Sequence, residues 1–141
     1  MKIGICNDHA GVEYKNRIIA LLASRGIEAV NFGTDSTESC DYPDHMNPMA
    51  EAIASGEIPA GIAVCGTGNG MAIAANKHKA VRCGLAWTPE VGALVKQHNN
   101  ANVLALPARF VSIDTALQTV EAWLDASFEG GRHQRRLDKI V

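Results

Sequence analysis

The chain is poor in the features that announce several large protein classes. No apolar run approaches the roughly 18 residues of a membrane-spanning helix, and Met1-Lys2-Ile3-Gly4-Ile5-Cys6 has none of the long apolar core of a secretion signal. There is no excess of one charge: 13 Lys and Arg against 15 Asp and Glu give a net −2, so no global field draws the protein to nucleic acid or to an anionic membrane. The four cysteines, Cys6, Cys40, Cys65 and Cys83, show no CxxC spacing, which argues for free thiols and against a two-cysteine redox motif. The five histidines form neither HxH nor HExxH, and cysteine–histidine spacings match no zinc site. Neither GxGxxG nor GxxxxGK[ST] occurs, so a dinucleotide or P-loop site has little support. These absences predict a cytoplasmic protein with no membrane or nucleic-acid partner.

What is present is a globular composition, 47% hydrophobic and 20% charged over 141 residues, enough for one domain with a real core. Apolar runs alternate with helical patterns. Strands are expected at Lys2–Cys6, Ile27–Phe32, Ala60–Cys65, Val81–Trp87 and Asn102–Leu106. Between them, Tyr14, Ile18, Leu21 and Leu22 mark one helix face that stops at Gly26. A polar loop from Gly33 to Pro43 leads into an Ala- and Met-rich helix ending near Ala54, and Met71 to Lys77 reads as another helix. Thr88-Pro89-Glu90 supplies a cap, a proline at the first helical position and an early acid for a helix reaching about His98. Ser112 caps the next, whose face is Ile113, Leu117, Val120 and Leu124. This order predicts a three-layer α/β/α sandwich with a Rossmann-like five-stranded parallel sheet. The tail from about residue 129 is basic: residues 131–141 hold four Lys/Arg and one Asp. It reads either as a solvated terminus or as an anion site, because Arg132 and Arg136 stand four apart on one helical face.

The most informative segment is AGIAVCGTGNGMAIAANK, residues 60–77. A strand ends in Cys65, a glycine-rich turn follows, and a helix begins. That arrangement offers backbone N–H groups to an anion, here with a thiol at its lip. An ordinary thiol is only a few per cent thiolate at pH 7, and a helix N-terminus favours the anion. Ligands of open α/β sheets bind beyond the carboxyl ends of the strands, so Asp8, His9, Cys65 and Arg109 are expected at one edge. His98-Asn99-Asn100 closes a helix and is expected at the other. Each residue also has a plainer reading: Cys65 as a small buried hydrophobe, Asp8 and His9 as a strand-end cap and a surface histidine, His98 as a charge favoured at a helix C-terminus.

Taken together, NDHAG (7–11), ESCDYPD (38–44), CGTGNG (65–70), AANK (74–77), QHNNANVL (97–104), the Arg109 turn and EGGRHQRR (129–136) resemble the ribose-5-phosphate isomerase B family. The resemblance spans nearly the whole chain. It implies interconversion of ribose 5-phosphate and ribulose 5-phosphate without metal or cofactor. By position it makes Cys65 the base that carries a proton between C2 and C1 through a cis-enediolate. His98 would open the sugar ring, assisted by Asp8, with Thr67 in the same catalytic group. His9, Arg109, Arg132 and Arg136 would hold the phosphate or neighbouring hydroxyls. Tyr42, Gly66, Gly68, Asn69, Gly70 and Asn99 would complete the substrate site. It also implies a homodimer, or a tetramer built from it, whose active sites are shared between subunits, with the basic tail serving the partner. Asn7 stands where many relatives have Ser or Cys. Met71 stands where some relatives place a glutamate base, so the cysteine version applies. Rival readings are a six-carbon sugar-phosphate isomerase (allose or galactose 6-phosphate), a sugar-phosphate-binding module, and a thiol redox protein.

Overall fold

The computed structural model describes residues 1–140; the last residue of the basic tail, Val141, lies outside them. Five parallel strands, β1 (Lys2–Asn7), β2 (Glu28–Asn31), β3 (Gly61–Cys65), β4 (Cys83–Leu85) and β5 (Val103–Pro107), form one sheet in the order β2-β1-β3-β5-β4. The helices are α1 (Val12–Ser24), α2 (Pro43–Ala54), α3 (Asn69–Asn76), α4 (Pro89–Gln97), α5 (Ile113–Asp125) and α6 (Arg132–Leu137). Chain order reverses between β1 and β3, where crossovers leave the sheet on opposite faces and open a crevice.

Side-chain alternation along the central strands builds two cores. Ile3 and Ile5 of β1, Ile62 and Val64 of β3, and Leu104 and Leu106 of β5 face Ile18 and Leu22 of α1, Val95 of α4, and Val120 and Trp123 of α5. The other face carries Cys6, Ala63, Cys65 and Val103 against Met46, Met49 and Ile53 of α2 and Met71 and Ala75 of α3. The sandwich expected from the sequence is therefore observed, α1, α4 and α5 on one side and α2 and α3 on the other. No helix of the described residues is long and apolar enough to cross a membrane.

The expected caps form: Thr88 accepts from Val91 N–H at 3.2 Å and Ser112 from Thr115 N–H at 3.1 Å. The edge strands are shorter than expected. β4 spans Cys83–Leu85, not Val81–Trp87, and β2 spans Glu28–Asn31. A strand paired on one side only is held by half the ladder. Val81 is taken into a turn, its N–H donating to His78 O at 3.0 Å. Asn76 covers the free edge of β4 instead of a neighbouring strand: its Nδ2 donates to Cys83 O at 3.0 Å and its Oδ1 accepts from Cys83 N–H at 2.8 Å.

Candidate active site

The carboxyl edge of the sheet gathers one group of candidates. Asp8 follows β1, and its N–H donates to Val64 O at 3.1 Å, so it lies directly beside the end of β3. Its Oδ1 accepts from Ala10 N–H at 2.9 Å and caps the short 3-10 turn His9–Gly11. The plain reading of Asp8 as a cap is thus correct for one carboxylate oxygen. Asn7 beneath it is fully buried and ties the polar loop to β1, its Nδ2 donating to Asp8 O at 2.8 Å and Thr34 O at 3.0 Å. The same loop brings Cys40 to His9, whose Nδ1 accepts from Cys40 N–H at 3.4 Å.

Cys65 ends β3, buried at 4% exposure. No hydrogen bond among the described residues uses the N–H of Gly66, Thr67 or Gly68. Thr67 Oγ1 accepts from Asn69 N–H at 3.2 Å and tightens the turn. Gly68 has a φ of 77°, and a Cβ there would run into Leu85, so both backbone and packing require glycine. Tyr42 lies over Gly70: a Cβ at Gly70 would be 2.6 Å from its ring. Arg109 is bound to the same loop, its N–H donating to Gly66 O at 3.0 Å and its side chain passing 3.2 Å from where a Gly66 Cβ would stand. Thus Asp8, His9, Tyr42, Cys65, the 66–70 loop and Arg109 share one edge.

The neighbouring thiols of Cys6 and Cys83 resist ionisation. Burial, and then Cys83, raise the Cys6 thiol far above its usual range, and burial pushes Cys83 up to about 12. Cys6 packs against Met46 and Met71 sulfurs at 3.8 and 3.9 Å.

The remaining candidates lie at the opposite edge. His98 is the C-cap of α4, which precedes β5. Cys65 is in register with Pro107, the last residue of β5. His98 and Cys65 are therefore separated within one chain by the length of a strand, roughly 13 Å or more. Asn100 adopts the left-handed turn that ends α4, with a φ of 48°. Asn99 lines a concavity of about 1020 Å³, together with Lys77, Arg82 and Leu137. Arg132 and Arg136 are exposed on α6. The tail is tied to this edge by Glu129, whose N–H donates to Gln97 O at 3.0 Å.

Two residues without a role in the sequence reading belong to this second group. Glu129 Oε1 lies 3.4 Å from His133 Nε2 and 3.9 Å from His98 Nε2. The rings of His98 and His133 stack at 4.2 Å and 12°. No helical spacing pointed to this contact, because Gly130 and Gly131, both at positive φ, separate Glu129 from α6. These donors lie within 4.8 Å of one another, but parallel rings hold their nitrogen lone pairs in separate planes, poorly aimed at a single ion.

The profile of the ribose/galactose isomerase family matches residues 3–140. The chain belongs to that family. Among relatives of this isomerase family member, ribose-5-phosphate isomerase B of Escherichia coli is 45% identical over 140 residues, covering 99% of this chain and 94% of that protein. A solved ribose-5-phosphate isomerase B from Clostridium thermocellum superposes with a TM-score of 0.96 at 47% identity, covering 99% of this chain and 95% of that one. Another, from Mycoplasma genitalium with bound ribulose-5-phosphate, gives a TM-score of 0.95 at 40% identity, covering 99% and 93%.

Proposed function

We propose that this family member is an aldose–ketose isomerase that interconverts D-ribose 5-phosphate and D-ribulose 5-phosphate in the non-oxidative pentose phosphate pathway of the cytoplasm. The observation that carries the reading is Cys65 at the end of β3 beside three loop N–H groups that have no partner among the described residues. The relative from Mycoplasma genitalium, solved with ribulose-5-phosphate, supports the choice of substrate.

The reaction moves protons only, so it needs a base, an acid and a place for negative charge, and neither metal nor cofactor. Ribose 5-phosphate enters as a ring. Opening it breaks the C1–O4 bond: O4 gains a proton from His98, and the C1 hydroxyl loses one to the Asp8 carboxylate. Cys65 thiolate then takes the C2 proton, leaving a cis-enediolate. The N–H groups of Gly66, Thr67 and Gly68 stabilise its oxygen, each such donor being worth about 3–4 kcal/mol in a water-excluded site. The O2 proton then passes to O1 across the cis-enediolate, and Cys65 returns its proton to C1, which leaves the carbonyl at C2 and gives the ketose. His9, Arg109, Arg132 and Arg136 hold the phosphate and nearby hydroxyls, Tyr42 closes over the loop, and Asn69, Gly70 and Asn99 contact the sugar.

This division requires both sheet edges in one site. We infer a homodimer in which the His98 edge of one protomer completes the Cys65 edge of the other. Exposed Ile73, Trp87, Val91 and Phe110 leave apolar surface for such a contact.

Cys65→Ala tests the base. Ribose 5-phosphate turnover is expected to fall at least about a hundredfold, with substrate binding kept in a titration; turnover near wild type would remove Cys65 from the mechanism. Ribose 5-, allose 6- and galactose 6-phosphates assayed in parallel with EDTA settle substrate length and metal dependence. Preference for a six-carbon substrate, or loss of activity in EDTA, would overturn the corresponding part.

A further inference from the structure

We propose that Glu129 and His133 are positioning residues for His98, holding its imidazole in the orientation that delivers the ring-opening proton; this rests on the His98 role proposed above. His98 closes α4 with its side chain 38% exposed. An exposed ring at a helix end would sample several rotamers, and a misplaced proton donor loses most of its effect. Three features restrict it. His133 lies flat against it at 4.2 Å. Glu129 brings its carboxylate to 3.9 Å from His98 Nε2. The Glu129 backbone is itself anchored to Gln97, the residue before His98, by a 3.0 Å hydrogen bond.

The chemistry of His133 distinguishes this from ordinary packing. Its side chain is 7% exposed, and its Nε2 has no hydrogen-bond partner among the described residues, with the Glu129 carboxylate 3.4 Å away. A buried polar atom left in that state costs free energy, and an apolar residue would fill the position without the cost. Burial first, then His98 and Arg132, lower the proton affinity of His133, against which Glu129 acts alone; Arg136 adds to the lowering. These surroundings favour the neutral form of His133. Two stacked imidazolium rings would repel, so a neutral His133 leaves the proton-donating role to the exposed ring above it, with the Glu129 carboxylate beside both. Glu129, His133 and His98 thus form a base plate on which one imidazole exchanges a proton while its neighbour stays fixed.

Two assays on the full chain separate positioning from general damage. Ribulose 5-phosphate is acyclic, because its C5 oxygen carries the phosphate. Uptake of solvent deuterium at its C1, followed by NMR, therefore needs Cys65 and the loop but no ring opening. Turnover of ribose 5-phosphate needs both. Glu129→Gln and His133→Leu are each expected to lose about tenfold in kcat for ribose 5-phosphate, part of the hundredfold or more that a placed proton donor supplies, and to keep deuterium uptake within about twofold. Glu129→Asp is expected to recover part of the loss. Equal losses in both assays, or none in either, would overturn the proposal. Glu129 is half-exposed, so its variants remain decisive if His133→Leu does not fold. His98→Asn is the reference: if it alone fails to separate the two assays, the ring-opening role of His98 is what has failed.

Discussion

At the scale of single residues, the site is shaped by small constraints that the sequence shows only in part. Gly68 was legible as one residue of a glycine-rich turn between a strand and a helix. That Leu85 occupies the space of its missing Cβ was not. Gly68→Ala is expected to cost about 1–3 kcal/mol in a denaturant melt and to abolish turnover. Gly56→Ala, also at positive φ but with open space around it, should be milder and leave turnover unchanged. The polar loop has a second anchor that periodicity does not reveal. Lys15 of α1 is buried, donates to Thr34 O at 2.6 Å and pairs with Asp35. The Lys15 ammonium, with help from Asn31, holds the Asp35 carboxyl below its usual 3.8. A depressed carboxylate contributes stability above its unfolded value, lost as pH falls through the folded one. Asp35→Asn should therefore melt below wild type at neutral pH, and the gap should close in acid below 3.8. A constant gap at all pH values would show that the ion pair contributes nothing.

At the scale of elements, the central strands were easy to read because both faces are buried: β1, β3 and β5 appear as unbroken apolar runs. The edge strands were overextended. A run such as Val81–Trp87 has strand-like residues, but pairing decides where a strand ends, and β4 pairs only with β5. The Asn76 side chain, which replaces a missing neighbour at Cys83, leaves no pattern in the sequence. Asn76→Ala removes both bonds and is expected to cost about 1–2 kcal/mol, with the loss visible as faster amide exchange at Cys83. Unchanged exchange would mean that solvent serves β4 equally well. Helix boundaries fared better where chemistry marks them, as at Thr88 and Ser112, because a cap is a local event. The histidine–glutamate cluster is the opposite case: it forms because α4 and the tail meet in space.

At the scale of the whole molecule, the layer architecture followed from alternation alone, whereas strand order did not. Once the order β2-β1-β3-β5-β4 is fixed, the candidates sort into two groups, one at each edge of the sheet. Cys65, Asp8, His9 and Arg109 stand at one edge and His98, Asn99, Arg132 and Arg136 at the other. The rule that ligands bind beyond the strand ends accounts for the first half. On the account proposed above, the second group completes the partner's site. The most direct test joins the halves. Cys65→Ala and His98→Asn chains, co-expressed with different tags and purified as the mixed dimer, hold one intact shared site of two. Such a dimer should show about half the wild-type turnover of ribose 5-phosphate, although each parent dimer is inactive or nearly so. A mixed dimer no more active than its parents would place each site within one chain and contradict the shared-site account.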